Sequence, residues 1–275
     1  MLEIPEARVI TNQLNSSVKG KRIKDAVAAF TPHKLAWFTG DPAEYSAKLT
    51  GRAIINSHAY AGRIEIETVN YSLSFLDGAV LRYYKDGEQI PPKHQLRLTL
   101  EDNSNLIVTI AMYGGILLIK PEDMSDDFYY NAAKSAVSPL SNDFTREYFN
   151  SLFNEKSLKM SAKAFLATEQ RIPGLGNGVL QDILFNAKIH PKRKVNTLSD
   201  NEINSMYESV KSTLSEMVAG NGRDTERDLF GNPGGYITKV SKKTVSTPCL
   251  ICGSEIKKEA YMGGSIYYCP GCQVL

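Results

Sequence analysis

The sequence predicts an α+β protein with more than one domain: a helix and many short strands, then several helices, then a metal-binding hairpin. Three observations predict this architecture. Along the 275 residues the apolar pattern changes from a helical period to a period of two and back again. All four cysteines lie within residues 249–275 as two C-x2-C pairs. Apolar residues make up 42% and charged residues 23%, the composition of a folded globular chain rather than a disordered, collagen-like or disulfide-rich one.

A helix is predicted at the start of the chain, over residues 5–18. Its apolar residues share one face at helical spacing: Ala7, Ile10, Leu14 and Val18. Pro5 suits a first helical turn, where a missing N–H costs nothing, and Gly20 is a stop signal. On residue chemistry alone, Glu3 and Glu6 are carboxylates that stabilise the positive end of this helix.

Short strands are predicted from this helix to about residue 120. Ile64 and Ile66 alternate with Glu65 and Glu67, which is the period of a half-buried strand. A turn at residues 103–105 separates two further apolar runs. Many short strands punctuated by turns favour an antiparallel sandwich or barrel.

From about residue 140 the pattern is helical, with a predicted helix over residues 161–170 and a glycine turn after it. The turn covers residues 173–177 and includes Gly176 and Asn177. Asn177 is predicted to cap the following helix, whose free N–H groups attract an anion. Two interpretations stay open, namely a helical hairpin with a solvated basic end or a turn that grips a phosphate. A later helix is predicted to start at Ser199 with a capping box.

The four cysteines form a predicted zinc site. Cys249 and Cys252 make the first pair, Cys269 and Cys272 make the second, and the spacing between the pairs is typical of zinc. Four thiolates complete a closed tetrahedral site that builds structure and leaves no position open for catalysis. Disulfides or buried free thiols are the alternatives, and a cytoplasmic chain disfavours disulfides. The predicted cofactor is therefore one structural Zn²⁺.

The charge is unevenly divided along the chain. The net charge is only +2, but residues 1–155 carry 16 Lys and Arg against 19 Asp and Glu, a net −3. Residues 156–275 carry 16 against 11, a net +5. The positive surplus falls on the glycine turn and the cysteine module, which favours an anionic partner for that half.

The sequence gives no sign of a membrane protein or a secreted one. No stretch reaches the ~18 consecutive apolar residues of a membrane span. The first residues carry acidic side chains instead of the positive segment of a secretory signal. The expected location is the cytoplasm, and the nucleoid if the source is bacterial.

Three motifs, in order and at matching spacing, make the whole chain resemble the formamidopyrimidine-DNA glycosylase / endonuclease VIII family. The opening Met1-Leu2-Glu3-Ile4-Pro5-Glu6 is similar to the family's Pro-Glu-x-Pro-Glu start. The turn at 173–177 resembles its helix–two-turn–helix motif, and the cysteine module resembles its zinc finger. The resemblance implies an N-terminal helix on a two-sheet β-sandwich, then a helix–two-turn–helix domain with a zinc-finger hairpin.

The resemblance also implies domain limits and partners. The expected units are residues 1–125 for the sandwich, 126–240 for the helical domain and 241–275 for the zinc finger. Damaged or abasic duplex DNA would bind in the cleft between sandwich and helices, and the protein would act as a monomer. The implied reaction flips a damaged base out of the duplex, forms a Schiff base between the N-terminal amine and the sugar, and nicks the strand.

The resemblance assigns roles to residues at the N-terminus. Glu3 would be the general acid/base and Glu6 would assist it. Position 2 holds Leu2 where the family has the proline that supplies a secondary amine. Removal of an initiator methionine generally needs a small second residue, so the amine is expected from Met1, and otherwise from Leu2. A primary amine can also form a Schiff base.

Residues that contact DNA are also implied. Lys163 and Asn177 match family positions that hold backbone phosphates, and Gly62-Arg63 is the nearest match to a phosphate-binding Gly-Lys. Gly264 stands where the family's finger carries an arginine. The residues that fill the gap left by the flipped base have no clear match, and Leu81, Arg82 and Tyr83 are the candidates. The predicted DNA-binding residues are Arg63, Lys163, Gly176, Asn177 and Arg223.

Three functions are consistent with these motifs. The first is a DNA glycosylase with abasic-site lyase activity. The second is a catalytically impaired relative that binds damaged or distorted DNA without turnover, which the altered position 2 and the missing finger arginine would explain. The third is a zinc-ribbon module in a protein or RNA assembly. The match over the whole chain favours the first.

Overall fold

The computed structural model describes residues 2–76, 78–120 and 128–275, so Met1 lies outside the described residues. The helices are α1 (Ile4–Ser17), α2 (Tyr45–Leu49), α3 (Phe128–Ser135), α4 (Arg146–Ser151), α5 (Glu155–Leu158), α6 (Ala162–Ala167), α7 (Asn177–Asn186) and α8 (Asp200–Ala219). The strands are β1 (Ile23–Ala28), β2 (Ala36–Phe38), β3 (Ile54–Tyr60), β4 (Arg63–Thr68), β5 (Tyr71–Phe75), β6 (Ala79–Tyr84), β7 (Leu96–Leu100), β8 (Asn105–Ile110), β9 (Gly114–Ile119), β10 (Lys257–Tyr261) and β11 (Gly264–Tyr268).

Nine of these strands form two sheets. One sheet has the order β1-β7-β8-β6, and the other has the order β2-β9-β5-β4-β3. Every pairing in them is antiparallel except the one between β2 and β9, which is parallel. Alternate strand residues fill the shared core, where Ile66 and Leu98 are almost fully buried. The predicted sandwich is therefore present, and its two sheets decide against a single closed barrel.

Helix α1 connects the sandwich with the helical domain. Pro5 lies in its first turn, as predicted, and α1 begins at Ile4. Ala7 and Leu14 pack in the sandwich core, whereas Ile4 packs with Leu180 and Phe165 in the core of the helical domain. One short helix therefore carries the first residues of the chain to the junction between two separate hydrophobic cores.

The helical domain follows the predicted pattern, with one shorter element. The capping box of α8 is present, because the Ser199 and Glu202 side chains each bond to the other residue's backbone N–H. Helix α6 ends at Ala167, before the predicted limit, because Thr168 is extended (φ −127°, ψ 165°) and the next two residues, Glu169 and Gln170, have φ values of +59° and +51°. A left-handed backbone cannot continue a right-handed helix.

Three remaining predictions concern the cysteine hairpin, the first domain limit and membrane spans. Strands β10 and β11 pair antiparallel as the hairpin of the cysteine module. The predicted domain limit at residue 125 lies outside the described residues. Within the described ranges, every helix is too short or too polar to cross a membrane.

Candidate active site

Glu3, near the start of the chain, caps the N-terminus of helix α7. Its carboxylate is buried, and its two oxygens accept hydrogen bonds from the backbone N–H groups of Gly178 (2.8 Å) and Val179 (2.7 Å). The anion predicted at this helix N-terminus is thus an internal carboxylate. The prediction that Asn177 caps α7 is wrong: Gly176 is the N-cap residue, and Asn177 is the first residue of the helix.

Burial changes the acidity of Glu3. Desolvation is the largest influence and raises its pKa, and the nearby Glu6 carboxylate raises it further. The Arg223 guanidinium and the two α7 amides act in the opposite direction without cancelling the rise. A carboxyl with a raised pKa accepts a proton more readily than an exposed one, which suits a general acid/base.

Two glycines at the N-terminus of α7, the N-cap Gly176 and Gly178, make room for this arrangement. A Cβ on Gly176 would stand 2.6 Å from Glu3 Oε1, and a Cβ on Gly178 would stand 1.8 Å from Arg223 Nη1. Real Cβ atoms do not approach other heavy atoms so closely. The glycine turn therefore allows a close approach, as predicted for Gly176, but in this structure the approaching group is the Glu3 carboxylate.

Arg223 holds the two N-terminal carboxylates together. Its Nε and Nη2 donate to the two oxygens of Glu6 at 2.8 and 2.7 Å, and its Nη1 lies 3.4 Å from Glu3 Oε2. All three side chains are buried, and only 1% of Arg223 is exposed. Burial alone would lower the pKa of Arg223, but the two carboxylates raise it, so the guanidinium stays charged. This corrects the prediction that Arg223 contacts DNA, because its guanidinium is enclosed within the protein.

Leu2 borders a cavity beside these carboxylates. The Leu2 side chain is 8% exposed and packs in the sandwich core. The cavity measures about 260 Å³. Its walls come from the N-terminal segment, from β6 and the turn before it, from the β8–β9 turn and from the loop after α8: Leu2, Glu6, Ile10, Gly78–Arg82, Ala111–Tyr113, Glu226 and Arg227. The first residues of the chain therefore face a mainly apolar cavity with a charged rim.

Lys163 and Asn177 meet the tip of the β10–β11 hairpin. Lys163 is 4% exposed, its Nζ donates to the Tyr261 carbonyl at 2.7 Å, and burial lowers its pKa. A Cβ on Gly264 would stand 2.5 Å from Asn177 Nδ2 and 3.7 Å from Lys163 Nζ. The glycine at the position of the family's finger arginine thus lets the hairpin close onto the glycine turn. Gln181 on α7 strengthens this contact by accepting a hydrogen bond from the Tyr267 N–H at 3.0 Å.

Arg63 lies on the far side of the N-terminal segment. A Cβ on the preceding Gly62 would stand 3.0 Å from the Leu2 carbonyl oxygen and 3.2 Å from the Gly174 Cα. Arg63, Gly62 and Gly174 line a second cavity of about 360 Å³. The N-terminal segment therefore lines the first cavity and lies against Gly62 of the second, which also holds the predicted phosphate-binding Arg63.

The four cysteines are arranged as a metal site. Their Sγ atoms all lie within 4.8 Å of one another. Cys249 and Cys272 are 3.8 Å apart, and Cys252 and Cys269 are 3.3 Å apart. A disulfide needs about 2.05 Å, so the disulfide alternative does not fit. Ligands at the ~2.3 Å Zn–S distance on a tetrahedron are separated by about 3.8 Å, which agrees with the cluster.

Comparison with known proteins finds one family to which the chain is similar. The model of the formamidopyrimidine-DNA glycosylase H2TH domain matches residues 136–228. The formamidopyrimidine-DNA glycosylases of Wolbachia pipientis wMel and Listeria innocua are 27% and 29% identical to it over 286 and 281 residues. These alignments cover 99% of this chain and 100% of each relative. Over almost its whole length, the chain is similar to formamidopyrimidine-DNA glycosylases.

Solved structures of the family have the same fold. The crystal structure of MutM (Fpg) from Thermus thermophilus has a TM-score of 0.81 at 21% identity and covers 98% of both chains. Lactococcus lactis Fpg in complex with abasic-site DNA has a TM-score of 0.83 at 21% identity, over 99% of this chain and 100% of that one. The predicted fold class and the predicted resemblance to the family are therefore confirmed, whereas the family roles of individual residues stay predictions.

Sequence reasoning missed the exposed turn between β8 and β9. Of the predicted gap-filling residues, Leu81 is 1% exposed in the sandwich core, and the Tyr83 ring packs against Phe230. Met112 and Tyr113, in contrast, are 64% and 43% exposed at the mouth of the first cavity. The sequence feature that could have indicated this turn is a pair of large apolar residues directly before two glycines.

Proposed function

We propose that the chain is a DNA glycosylase with abasic-site lyase activity that acts in base excision repair. The observation that supports this most directly is the buried Glu3 carboxylate, one residue from the Leu2 that faces the first cavity. The cavity would receive the flipped, damaged base, and its charged rim residues Glu226 and Arg227 offer polar groups to the edges of a base.

The proposed reaction starts at the N-terminal amine. Its nitrogen forms a bond to the sugar C1′, the glycosidic bond breaks, and the damaged base leaves with the bonding electrons. Glu3 accepts the proton that the amine loses and passes it to the ring oxygen O4′, whose bond to C1′ breaks to give a Schiff base, while the departing base takes a proton from water. Removal of a C2′ proton then expels the 3′ phosphate, and water releases the nicked DNA. Each step uses the amine, one carboxylate and water.

The two buried carboxylates have different parts in this proposal. Glu3 is the catalytic acid/base, because it is adjacent to the N-terminal segment and has a raised pKa. Glu6 is a positioning residue, because it forms a two-contact ion pair with the same Arg223 that lies 3.4 Å from Glu3. That ion pair keeps the Glu3 carboxylate in one place while its proton is exchanged.

The phosphates would be held by groups on both sides of the N-terminal segment. Lys163 and Asn177 lie together at the hairpin tip, and Arg63 lines the second cavity. Gly176 allows the turn to approach closely. The net charge of +5 over residues 156–275 supports the assignment of the phosphate contacts to this half of the chain.

One zinc ion per chain is proposed in the cysteine cluster, where it would organise the base of the β10–β11 hairpin. Elemental analysis is expected to find about one zinc per chain, and Cys269→Ser is expected to lower this to near zero. The variant should also bind abasic-site DNA more weakly, because the hairpin tip that meets Lys163 and Asn177 loses its anchor. Leu250→Ala is the matched control, since Leu250 lies between two of the cysteines but is 99% exposed. Full zinc content in Cys269→Ser would contradict the assignment.

The proposed function is tested by trapping the Schiff base. Borohydride reduction during reaction with an abasic duplex is expected to join the protein covalently to DNA. Peptide mass analysis should place the adduct on the first residue, and intact mass shows whether that residue is Met1 or Leu2. Absence of an adduct on abasic and oxidised-base duplexes that the protein binds would overturn the lyase assignment. An adduct on an internal lysine would overturn the assigned nucleophile.

A further inference from the structure

Three aromatic side chains surround the second cavity. Trp37 comes from β2, Tyr113 from the β8–β9 turn and Tyr129 from α3, so three separate segments supply them. They are 45%, 43% and 56% exposed. Large aromatic side chains usually contribute to a core or an interface, and three half-exposed ones around a cavity of about 360 Å³ indicate a ligand site.

The remaining walls of the cavity add polar groups. Arg63 brings a guanidinium, and Gln170 brings a side-chain amide. Leu76, 5% exposed, supplies an apolar wall. Aromatic faces with a guanidinium and an amide form the usual set of partners for an unstacked nucleobase, which has a flat π-face and a polar edge.

The cavity walls are held in place by contacts behind them. The Trp37 indole lies directly on Gly115, its partner in the β2–β9 pairing, where a Cβ would stand 2.4 Å from the indole nitrogen. Helix α3 is fixed by Tyr130, whose hydroxyl donates to the buried Glu65 carboxylate at 2.6 Å. Glu65 lies on β4, the strand that begins with Arg63. The aromatic side chains are therefore presented on rigid elements.

The second cavity adjoins the proposed reaction site. Tyr113 lines both cavities, and Gly62 in the second one lies against the backbone of Leu2 and Glu3. The carbonyl of Gly174, also in the second cavity, accepts a hydrogen bond from the Ile4 N–H at 3.1 Å. A base bound in the second cavity would therefore belong to the same stretch of DNA as a base flipped into the first.

We propose that the second cavity binds a second unpaired nucleobase of DNA, stacked on Trp37 and Tyr129. The chain would then prefer lesions whose neighbouring or opposite base is also unpaired, as in a bubble or a single strand. The substrate preference rests on the proposed function, whereas binding of a base in the second cavity is independent of it.

Trp37 allows a direct test because it is the only tryptophan of the chain. Titration with a short single-stranded oligothymidine is expected to quench its fluorescence in a saturable way. Tyr129→Ala should weaken that binding by about 5- to 150-fold, the loss of one stacking partner, and Tyr129→Phe should restore it. Phe30→Ala is the matched control, because Phe30 is 53% exposed and stacks on His94. Non-saturable quenching, or equal affinity for Tyr129→Ala and the unaltered protein, would overturn the proposal.

A second arm separates this site from the lyase reaction. Affinity for an abasic duplex with a mispaired neighbouring base should exceed that for the fully paired one, and Tyr129→Ala should remove the difference. Saturable quenching with no borohydride adduct would support the nucleobase site and reject the proposed lyase. If the unaltered protein and Tyr129→Ala form an adduct equally well on both duplexes, the lyase assignment is supported and the nucleobase site is rejected.

Discussion

Replacing Gly178 by alanine is expected to lower the free energy of unfolding by about 3–5 kcal/mol, the cost of breaking a buried ion pair. The new Cβ would stand 1.8 Å from Arg223 Nη1 and 2.9 Å from Glu3 Oε1, so the guanidinium has to leave its place between two carboxylates. In an ordinary helix interior the same change would stabilise by about 1 kcal/mol. Urea denaturation measures the effect, and nicking of an abasic duplex should be lost with it.

A double-mutant cycle isolates the contact responsible for this effect. In an Arg223→Ala background the collision with Nη1 is absent and the Glu3 carboxylate is free to move. Gly178→Ala should then cost less than about 1 kcal/mol. Equal costs in the two backgrounds would show that the destabilisation does not arise from crowding of Arg223.

The Glu3→Gln variant is expected to slow Schiff-base trapping by about 10²- to 10⁴-fold, the usual contribution of a general acid/base. Glutamine keeps the size of the side chain and one oxygen for the α7 amides, but it cannot exchange a proton. Glu67→Gln is the control, because Glu67 lies at the surface on β4 and pairs with His58 at 3.1 Å. A trapping rate for Glu3→Gln within about threefold of the unaltered protein would reject the assigned role.

The pH dependence of trapping follows from the same carboxyl. Burial raises the pKa of Glu3 above its ordinary 4.5, against the smaller opposing effects of Arg223 and the α7 amides. If Glu3 accepts a proton as the carboxylate, the rate should fall as the pH drops through this raised pKa. The acid limb should therefore lie above pH 4.5 and be absent from the residual activity of Glu3→Gln. An acid limb that Glu3→Gln retains would assign it to another group.

Local patterns in the sequence predicted most of the fold. The helix at the start, the alternating strands, the capped α8 and the paired cysteines each follow from spacing or chemistry within a few residues. The shortened α6 was not predicted, because the left-handed backbone at Glu169 and Gln170 has no signal in residue type. The parallel β2–β9 pairing was missed for a related reason, since it joins segments far apart in the chain.

The site was predicted less completely than the fold. The structure brings Glu3 close to Glu6 and Gly176, while their predicted catalytic and DNA-binding roles stay predictions. The cap of α7 was assigned to the neighbouring Asn177, whereas the side chain that bonds to its first amides is that of Glu3. Arg223 was included among the predicted DNA-binding residues, whereas the structure encloses its guanidinium. Its burial between two carboxylates depends on contacts more than 200 residues apart along the chain.

The sequence by itself determined the resemblance to the family, the order of the elements and the four clustered thiols, because these depend on residue type and short spacing. Tertiary structure alone decided which anion lies at the N-terminus of α7, where Arg223 points and how the N-terminal segment comes to line the first cavity and contact a residue of the second. The physical reason is that charge neutralisation and close backbone approach act between distant segments. The requirement for glycine at position 178, for example, is explained only by the Arg223 guanidinium that packs against Gly178.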